Sequence, residues 1–254
     1  KMKITNWKIK LATVFSLIII WHIVSNILDT SLFPNPSAVF ISFLYMIKEE
    51  TLLKDILWSL GRIIISLIFA IFFGVILGII TSKLSLAYHS IGTILDYIKS
   101  ISPIALVPFI ILWFGIGESA KILTIVYLIT TVIWLNTDTG IRNVSKLYLW
   151  TAKSLGAGKY DLVNHIIIPQ ALPFIVTGIR TAIAWAFIII VAAEMNGASF
   201  GLGYHIYQYY QNFFIDKMLV NLIVLTSIAY SADKLFLFII KRQYGWYFTE
   251  NAKN

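Results

Sequence analysis

Few side chains in this sequence are of a type that does chemistry, and fewer still stand near one another. Glu194 opens the run EMNGASFGLGY, whose glycines Gly197, Gly201 and Gly203 supply a flexible turn. A carboxylate at the centre of a bilayer costs about 2.5 to 3.5 kcal/mol on insertion scales and much less at the rim. Glu194 is therefore expected to be a rim residue that caps a re-entrant turn, with gating or contact with an outside protein as the alternative. Arg180 stands six residues into the apolar run that starts at Phe174, about 9 Å up a helix. That is close enough to the inner face to snorkel or to pack on the preceding loop, with anion binding as the lesser alternative. The fourteen residues between Arg180 and Glu194 separate them by about 21 Å on one helix, so they cannot pair there.

The same residues exclude several chemistries. The histidines His22, His89, His165 and His205 include no two at helical ligand spacing, so no metal site is expected. With no cysteine, thiol catalysis, disulfides and thiolate metal sites are excluded. No glycine loop ends in Gly-Lys-Ser or Gly-Lys-Thr, so the chain does not hydrolyse ATP itself. An intramembrane enzyme built on Glu194, Arg180 and His205 would lack a matched nucleophile and base.

The elements that must position these residues are membrane helices. The chain is 59% hydrophobic and 13% charged, against roughly a quarter charged in soluble domains. Apolar runs recur along almost all of the 254 residues, leaving no room for a separate soluble domain. A single polytopic, all-α membrane domain is expected over 1–254. A bilayer core needs about 20 apolar residues per helix, and about six runs fit: 11–28, 58–80, 94–114, 122–142, 174–193 and 218–240. The first resembles a signal sequence, but no small-residue cleavage site follows it, so it is expected to stay as a span. Pro103 and Pro108 predict a kink or break in the third. In the segment PNPSAVFISFLYMIKEE, residues Val39, Phe40, Phe43, Leu44 and Ile47 repeat at helical spacing, predicting a helix that packs on neighbouring spans or lies in the interface.

The net charge of +8 reports orientation in such a chain, not nucleic acid. With the N-terminus inside, the cytoplasmic segments hold thirteen Lys or Arg and the outer loops four, Lys48, Lys54, Lys121 and Lys217. Both termini and the loop between the fourth and fifth spans are therefore expected to face the cytoplasm.

That loop reads WTAKSLGAGKYDLVNHIIIPQALP. A helix runs to Leu155, and Gly156 supplies the left-handed residue that ends it. A short second helix is expected next, with Asp161 in its first turn and Tyr160, Val163, Ile166 and Ile167 along one side. Pro169 is expected to stop it, with Pro173 at the start of the next span. Physically, such an element either docks into a groove of another protein or lies flat on the inner leaflet.

The loop resembles the EAA-loop signature of binding-protein-dependent ABC importer permeases: E-A-A, three residues, G, nine residues, I, one residue, L-P. Ala152, Gly156, Ile166 and Pro169 match at the family spacing. Trp150, Thr151 and Ile168 depart from the glutamate, first alanine and leucine. The stretches 107–122 and 178–206 and the terminal KRQYGW are similar to the nitrate, sulfonate and taurine class, which also includes permeases for pyrimidine precursors of thiamine.

The resemblance implies a type I importer permease core over 58–240, with a coupling loop over 150–172. Within that loop Ala152, Lys153, Ser154, Leu155, Gly156, Ala157, Gly158, Ile166 and Pro169 would meet the ATPase. In permeases of this fold the third and fifth spans line the pore, which makes Ser102, Pro103, Trp185, Glu194 and Asn196 candidates for the path. The implied partners are a second permease copy, two copies of a cytoplasmic ATPase that uses ATP and magnesium, and an extracytoplasmic substrate-binding protein. No cofactor on this chain is implied. The implied place is the cell membrane, and an ATP-independent secondary transporter stands as the rival.

Overall fold

A computed structural model describes residues 2–28, 30–83 and 92–243. His89, Lys253 and the last three residues of KRQYGW lie outside the described residues. Every regular element among those described is a helix: α1 Met2–Leu28, α2 Pro36–Lys48, α3 Thr51–Lys83, α4 Thr93–Ile98, α5 Pro103–Phe114, α6 Glu118–Arg142 and α7 Lys146–Ser154. The rest are α8 Lys159–Asp161, a π turn Leu162–Ile167, α9 Ile168–Met195, α10 Leu202–Gln211 and α11 Ile215–Gln243.

The centre of the bundle is α6, which lies between α3 and α9. Its Ile125, Ile129 and Ile133 recur every fourth residue on one face and have no exposed surface, as that period requires. Without a hydrophobic driving force in lipid, helices associate through close packing at small residues. A Cβ on Gly74 would lie 2.8 Å from the Ile133 Cβ, and one on Gly78 only 2.5 Å from the Thr137 Cβ. On the other side of α6, a Cβ on Gly140 would be 2.6 Å from that of Phe174, and one on Gly178 2.7 Å from that of Asn136. Only glycine permits these approaches.

Among the described residues, five helices are long and apolar enough to cross a membrane: Leu11–Leu28, Thr51–Ser82, Glu118–Arg142, Lys159–Met195 and Ile215–Gln243. The expected third span is not a single helix. α3 and α6 nonetheless run in the same direction, since Arg62 meets Glu118 at one end and Thr81 meets Asp138 at the other. The chain between them must therefore return across the bundle. It does so in part as α4 and α5, broken at 99–102, where the Tyr127 hydroxyl donates to the carbonyls of Ile98 and, at 3.3 Å, Ile101. Pro103 begins α5, where its missing N–H costs nothing.

A second difference concerns the loop. Pro169 does not stop the helix and Pro173 does not begin one, because the run from Lys159 continues to Met195. The physical reason is the π turn just before Pro169, in which the Ile168 N–H donates to the Val163 carbonyl five residues back. A proline ring clashes with the carbonyl four residues earlier, and the wider turn makes room for it.

α2 buries Val39 and Met46 and packs Phe43 on the core, while Phe40, Leu44 and Ile47 stay exposed. α1 is tied to the chain after it by Trp21, whose Nε1 donates to the Pro34 carbonyl at 3.1 Å, and by Ser25, whose hydroxyl donates to that of Phe33 at 3.0 Å.

Candidate functional site

Three constellations stand along the length of the bundle. At one end, α7 closes on a Schellman turn: Gly156 has φ +84°, and the Ala157 N–H donates to the Ala152 carbonyl at 3.0 Å. The Gly156 N–H donates to the Lys153 carbonyl at 3.0 Å, completing the motif. Gly158 then caps the following helix, and its N–H donates to Asp161 Oδ2 at 3.1 Å. The turn presents a pad of apolar side chains outward, with Leu155 83%, Tyr160 76% and Trp150 63% exposed. Lys153 and Ser154 are exposed beside them, while Ala157, Ile166 and Pro169 are half-buried.

Behind the pad, a buried cluster ties α3 to the end of α6. The Thr81 hydroxyl donates to Asp138 Oδ1 at 2.8 Å and receives the Trp134 Nε1–H at 3.0 Å. Arg142 donates to Asp138 Oδ2 from Nε and to the Thr81 carbonyl from Nη2, each at 2.7 Å.

At the opposite end, Glu194 is fully buried. It receives Arg62 Nη1 at 2.6 Å, the Ser59 hydroxyl at 2.7 Å and the Gly203 N–H at 2.8 Å. It thus caps the glycine turn, as expected. Its charge partner comes from α3, a helix that no spacing around Glu194 points to. Arg62 also donates to the Phe200 carbonyl at 2.8 Å, and its Nε and Nη2 form a fork on Glu118 at 2.6 and 2.8 Å. Lys121 adds a bond to Glu118 at 2.9 Å. Asp55 holds the Gly201 N–H at 2.9 Å, with its other oxygen 2.6 Å from His205 Nδ1. A Cβ on Gly201, which has φ +132°, would fall 2.6 Å from the Glu194 carboxylate. Beside His205, burial and then the Asp55, Glu49 and Asp216 carboxylates push the Tyr209 phenol above its ordinary value, so it keeps its proton.

Sequence reasoning missed Arg62, Asp55, Ser59 and Glu118. A signal existed: Asp55, Ser59, Arg62 and Ser66 follow helical spacing within an otherwise apolar run, and all four are buried.

The candidate path residues are placed differently from one another. Ser102 is exposed at the break and Pro103 is half-buried. Trp185 is exposed on α9, and Asn196, also exposed, donates to the Ala192 carbonyl at 3.2 Å. Glu194 has no free surface. Arg180 has a partner that its spacing did not point to: its Nε and Nη2 donate to Asp233 of α11 at 2.6 and 3.1 Å. Among the described residues no group of His, Asp and Glu could hold a metal ion.

The sequence profile described as the binding-protein-dependent transport system inner membrane component matches residues 70–243. The taurine transport system permease protein TauC of Escherichia coli is 29% identical over 87% of this chain and 83% of its own length. The bicarbonate transport system permease protein CmpB of Synechococcus elongatus is 27% identical over 92% and 88%. The putative aliphatic sulfonates transport permease protein SsuC of Bacillus subtilis is 25% identical over 91% and 84%. Among solved structures, an inward-facing MetNI methionine ABC transporter superposes with a TM-score of 0.67 at 20% identity, covering 77% of this chain and 97% of that one. An amino acid ABC transporter superposes at 0.64 and 15% identity, covering 79% and 98%.

Proposed function

From the premise that this chain belongs to the family of binding-protein-dependent transport system inner membrane components, we propose that it forms the solute path of an ABC importer. The solute is a small molecule of the sulfonate, taurine or bicarbonate kind, for which relatives are named. A separate binding protein delivers it, and a cytoplasmic ATPase that binds the nucleotide and its magnesium drives the transport. Two copies of this permease assemble with two ATPase subunits in the cell membrane, with the pad at the cytoplasmic face.

The observation that carries the ATPase partner is the pad. Leu155, Tyr160 and Trp150 stand exposed on a turn whose backbone is fixed by its own hydrogen bonds. A rigid apolar projection of that kind suits a groove in another protein. Trp150, where the family signature has glutamate, makes the contact apolar at that point.

The path is supported by the break at 99–102. Ser100, Ile101 and Ser102 are exposed in the single chain, and Tyr127, nine residues into α6, lies about 13 Å from the start of that helix. Irregular backbone at such depth is tolerated only against protein or water, so this face, with Pro103, Trp185 and Asn196, faces the path and the second copy. Glu194 pins the outer closure of that path. In alternating access, the ATPase pair closes on ATP, draws the pads together, and the motion passes along α9 to the outer turn.

An enzyme built on Glu194, Arg180 and His205 finds no support, because Arg180 sits about 21 Å down α9 from Glu194 and pairs elsewhere. The test is co-purification of the chain with its ATPase, followed by ATP-dependent uptake of labelled taurine, methanesulfonate and bicarbonate into proteoliposomes holding binding protein. Uptake that needs no ATPase would overturn the reading in favour of a secondary transporter.

A further inference from the structure

The surface of the bundle changes character at one level. Along α3 the outward residues are apolar, among them Ile64, Ile68, Phe69, Phe72 and Phe73, as contact with lipid tails requires. α11 instead exposes Ser227, Tyr230, Ser231 and Lys234, whose spacing places them on one helix face. Exposed Ile223 above, and Leu235 and Phe238 below, bound this polar window, which is about 10 Å tall from Ser227 to Lys234. On α9 an exposed Thr177 and a half-buried Thr181 stand between Phe174 and Trp185. Where the two helices meet lies the Arg180–Asp233 pair, its side chains 47% and 30% exposed.

The level of that pair follows from the close approaches of α6 and α9. Gly140 lies against Phe174 and Gly178 against Asn136, which puts Arg180 near the height of Trp134. That is about 12 Å above Arg142 and about 24 Å below Glu118, between the two buried ion clusters. Charged groups inside the hydrocarbon level face protein or a water-filled cavity, not lipid.

Two cations share one carboxylate here. Asp233 takes Nε and Nη2 of Arg180, and Nη1 bonds to none of the described residues. Lys234 Nζ sits 5.1 Å from the centre of the Tyr230 ring, with no carboxylate bonded to it among the described residues. The pair and Lys234 together thus carry one surplus positive charge on this face.

We propose that the exposed polar face where α9 meets α11 is a wet stretch of the solute path in which Arg180 Nη1 and Lys234 Nζ bind a small oxyanion, Asp233 fixing the plane of the guanidinium. This rests on the importer reading and assigns named residues to the anionic group of its solute. A guanidinium with one edge already held gives a preorganised donor pair, and the ammonium adds charge without demanding geometry.

The chain has no cysteine, so single cysteines report access directly. In membrane fragments open to both faces and holding the complete transporter, Ser231→Cys is labelled with an anionic ethylsulfonate or a cationic trimethylammonium thiosulfonate reagent. Its anion-to-cation rate ratio, normalised to Ser31→Cys in the exposed turn between α1 and α2, is expected to be about tenfold above unity, a modest effect for one charge a helical turn away. Adding Lys234→Gln should return the ratio to unity, Phe72→Cys should react with neither reagent, and methanesulfonate but not dimethyl sulfone should slow the labelling. An unreactive Ser231→Cys would mean that lipid or the second copy covers this face, and a ratio near unity without methanesulfonate protection would mean that it binds no anion. Either result overturns the proposal. Expected labelling without ATP-driven uptake of any solute would instead overturn the importer reading and leave the anion site standing.

Discussion

Arg62 holds groups from three parts of the chain: the Glu118 carboxylate, the Glu194 carboxylate and the Phe200 carbonyl. Because Glu194 has no exposed surface, removing the guanidinium strands a buried charge. Losing one partner of such a pair costs about 3 to 5 kcal/mol, so Arg62→Leu should lower the melting temperature of the purified permease substantially. Glu194→Gln added to that variant keeps the hydrogen bonds from Ser59 and Gly203 but removes the stranded charge, and should recover more than half of the loss. A double variant no more stable than Arg62→Leu would mean that the charge is not what the cluster balances. At this scale the sequence was half legible. The helical spacing of Asp55, Ser59, Arg62 and Ser66 marks a polar face, and Glu194 beside three glycines marks a capped turn. Which face meets which turn depends on packing between helices far apart in the chain, and no local pattern encodes it. Arg180 illustrates the same limit, since its partner Asp233 lies 53 residues away.

Gly156 decides how the pad is presented. Its φ of +84° is reached without strain by glycine and tolerably by asparagine, and an added Cβ meets nothing within 4 Å. Gly156→Asn should therefore keep both fold and uptake. Gly156→Val, with a backbone cost of at least about 1 to 2 kcal/mol confined to the turn, should leave α3, α6 and α9 packed but reduce uptake at least tenfold while ATP is still hydrolysed. Parallel measurement of ATPase rate and uptake in proteoliposomes checks this, and unimpaired uptake by the valine variant would remove Gly156 from the coupling. The glycine turn was legible; of the apolar side expected after it, Val163, Ile166 and Ile167 are half-buried, but Tyr160 stands exposed on the pad. The continuation through Pro169 was not, because it depends on a π turn, a backbone choice that composition does not report. The break in the third crossing was signalled by Pro103, but its place at 99–102 is set in part by the Tyr127 hydroxyl from another helix.

Across the whole molecule, the cluster at Glu118 and the one at Asp138 are twenty residues apart on α6, about 30 Å, which is the thickness of a hydrocarbon core. Ion pairs stand at these two levels, and the close glycine contacts lie between them. The excess of Lys and Arg on one set of loops predicts which level is cytoplasmic. Reporter fusions after Arg242 and within the 145–158 loop should be active only in the cytoplasm, and one after Glu49 only outside; reversed signals would refute the orientation. Membrane class was legible from composition, and five of the six expected spans from run length, whereas the Arg180–Asp233 pair between α9 and α11 was not, since its members come from two runs that each look like an ordinary span. The six residues of the π turn at Leu162–Ile167 also act as a dial. A π turn takes up more residues than an α turn over the same rise, and each residue is worth about 100° of azimuth. Deleting one residue there would leave the pad at almost the same height but facing a different compass direction, so the bearing of the pad around the bundle axis, and with it the direction of any pull it receives, is set by how many residues that single turn contains.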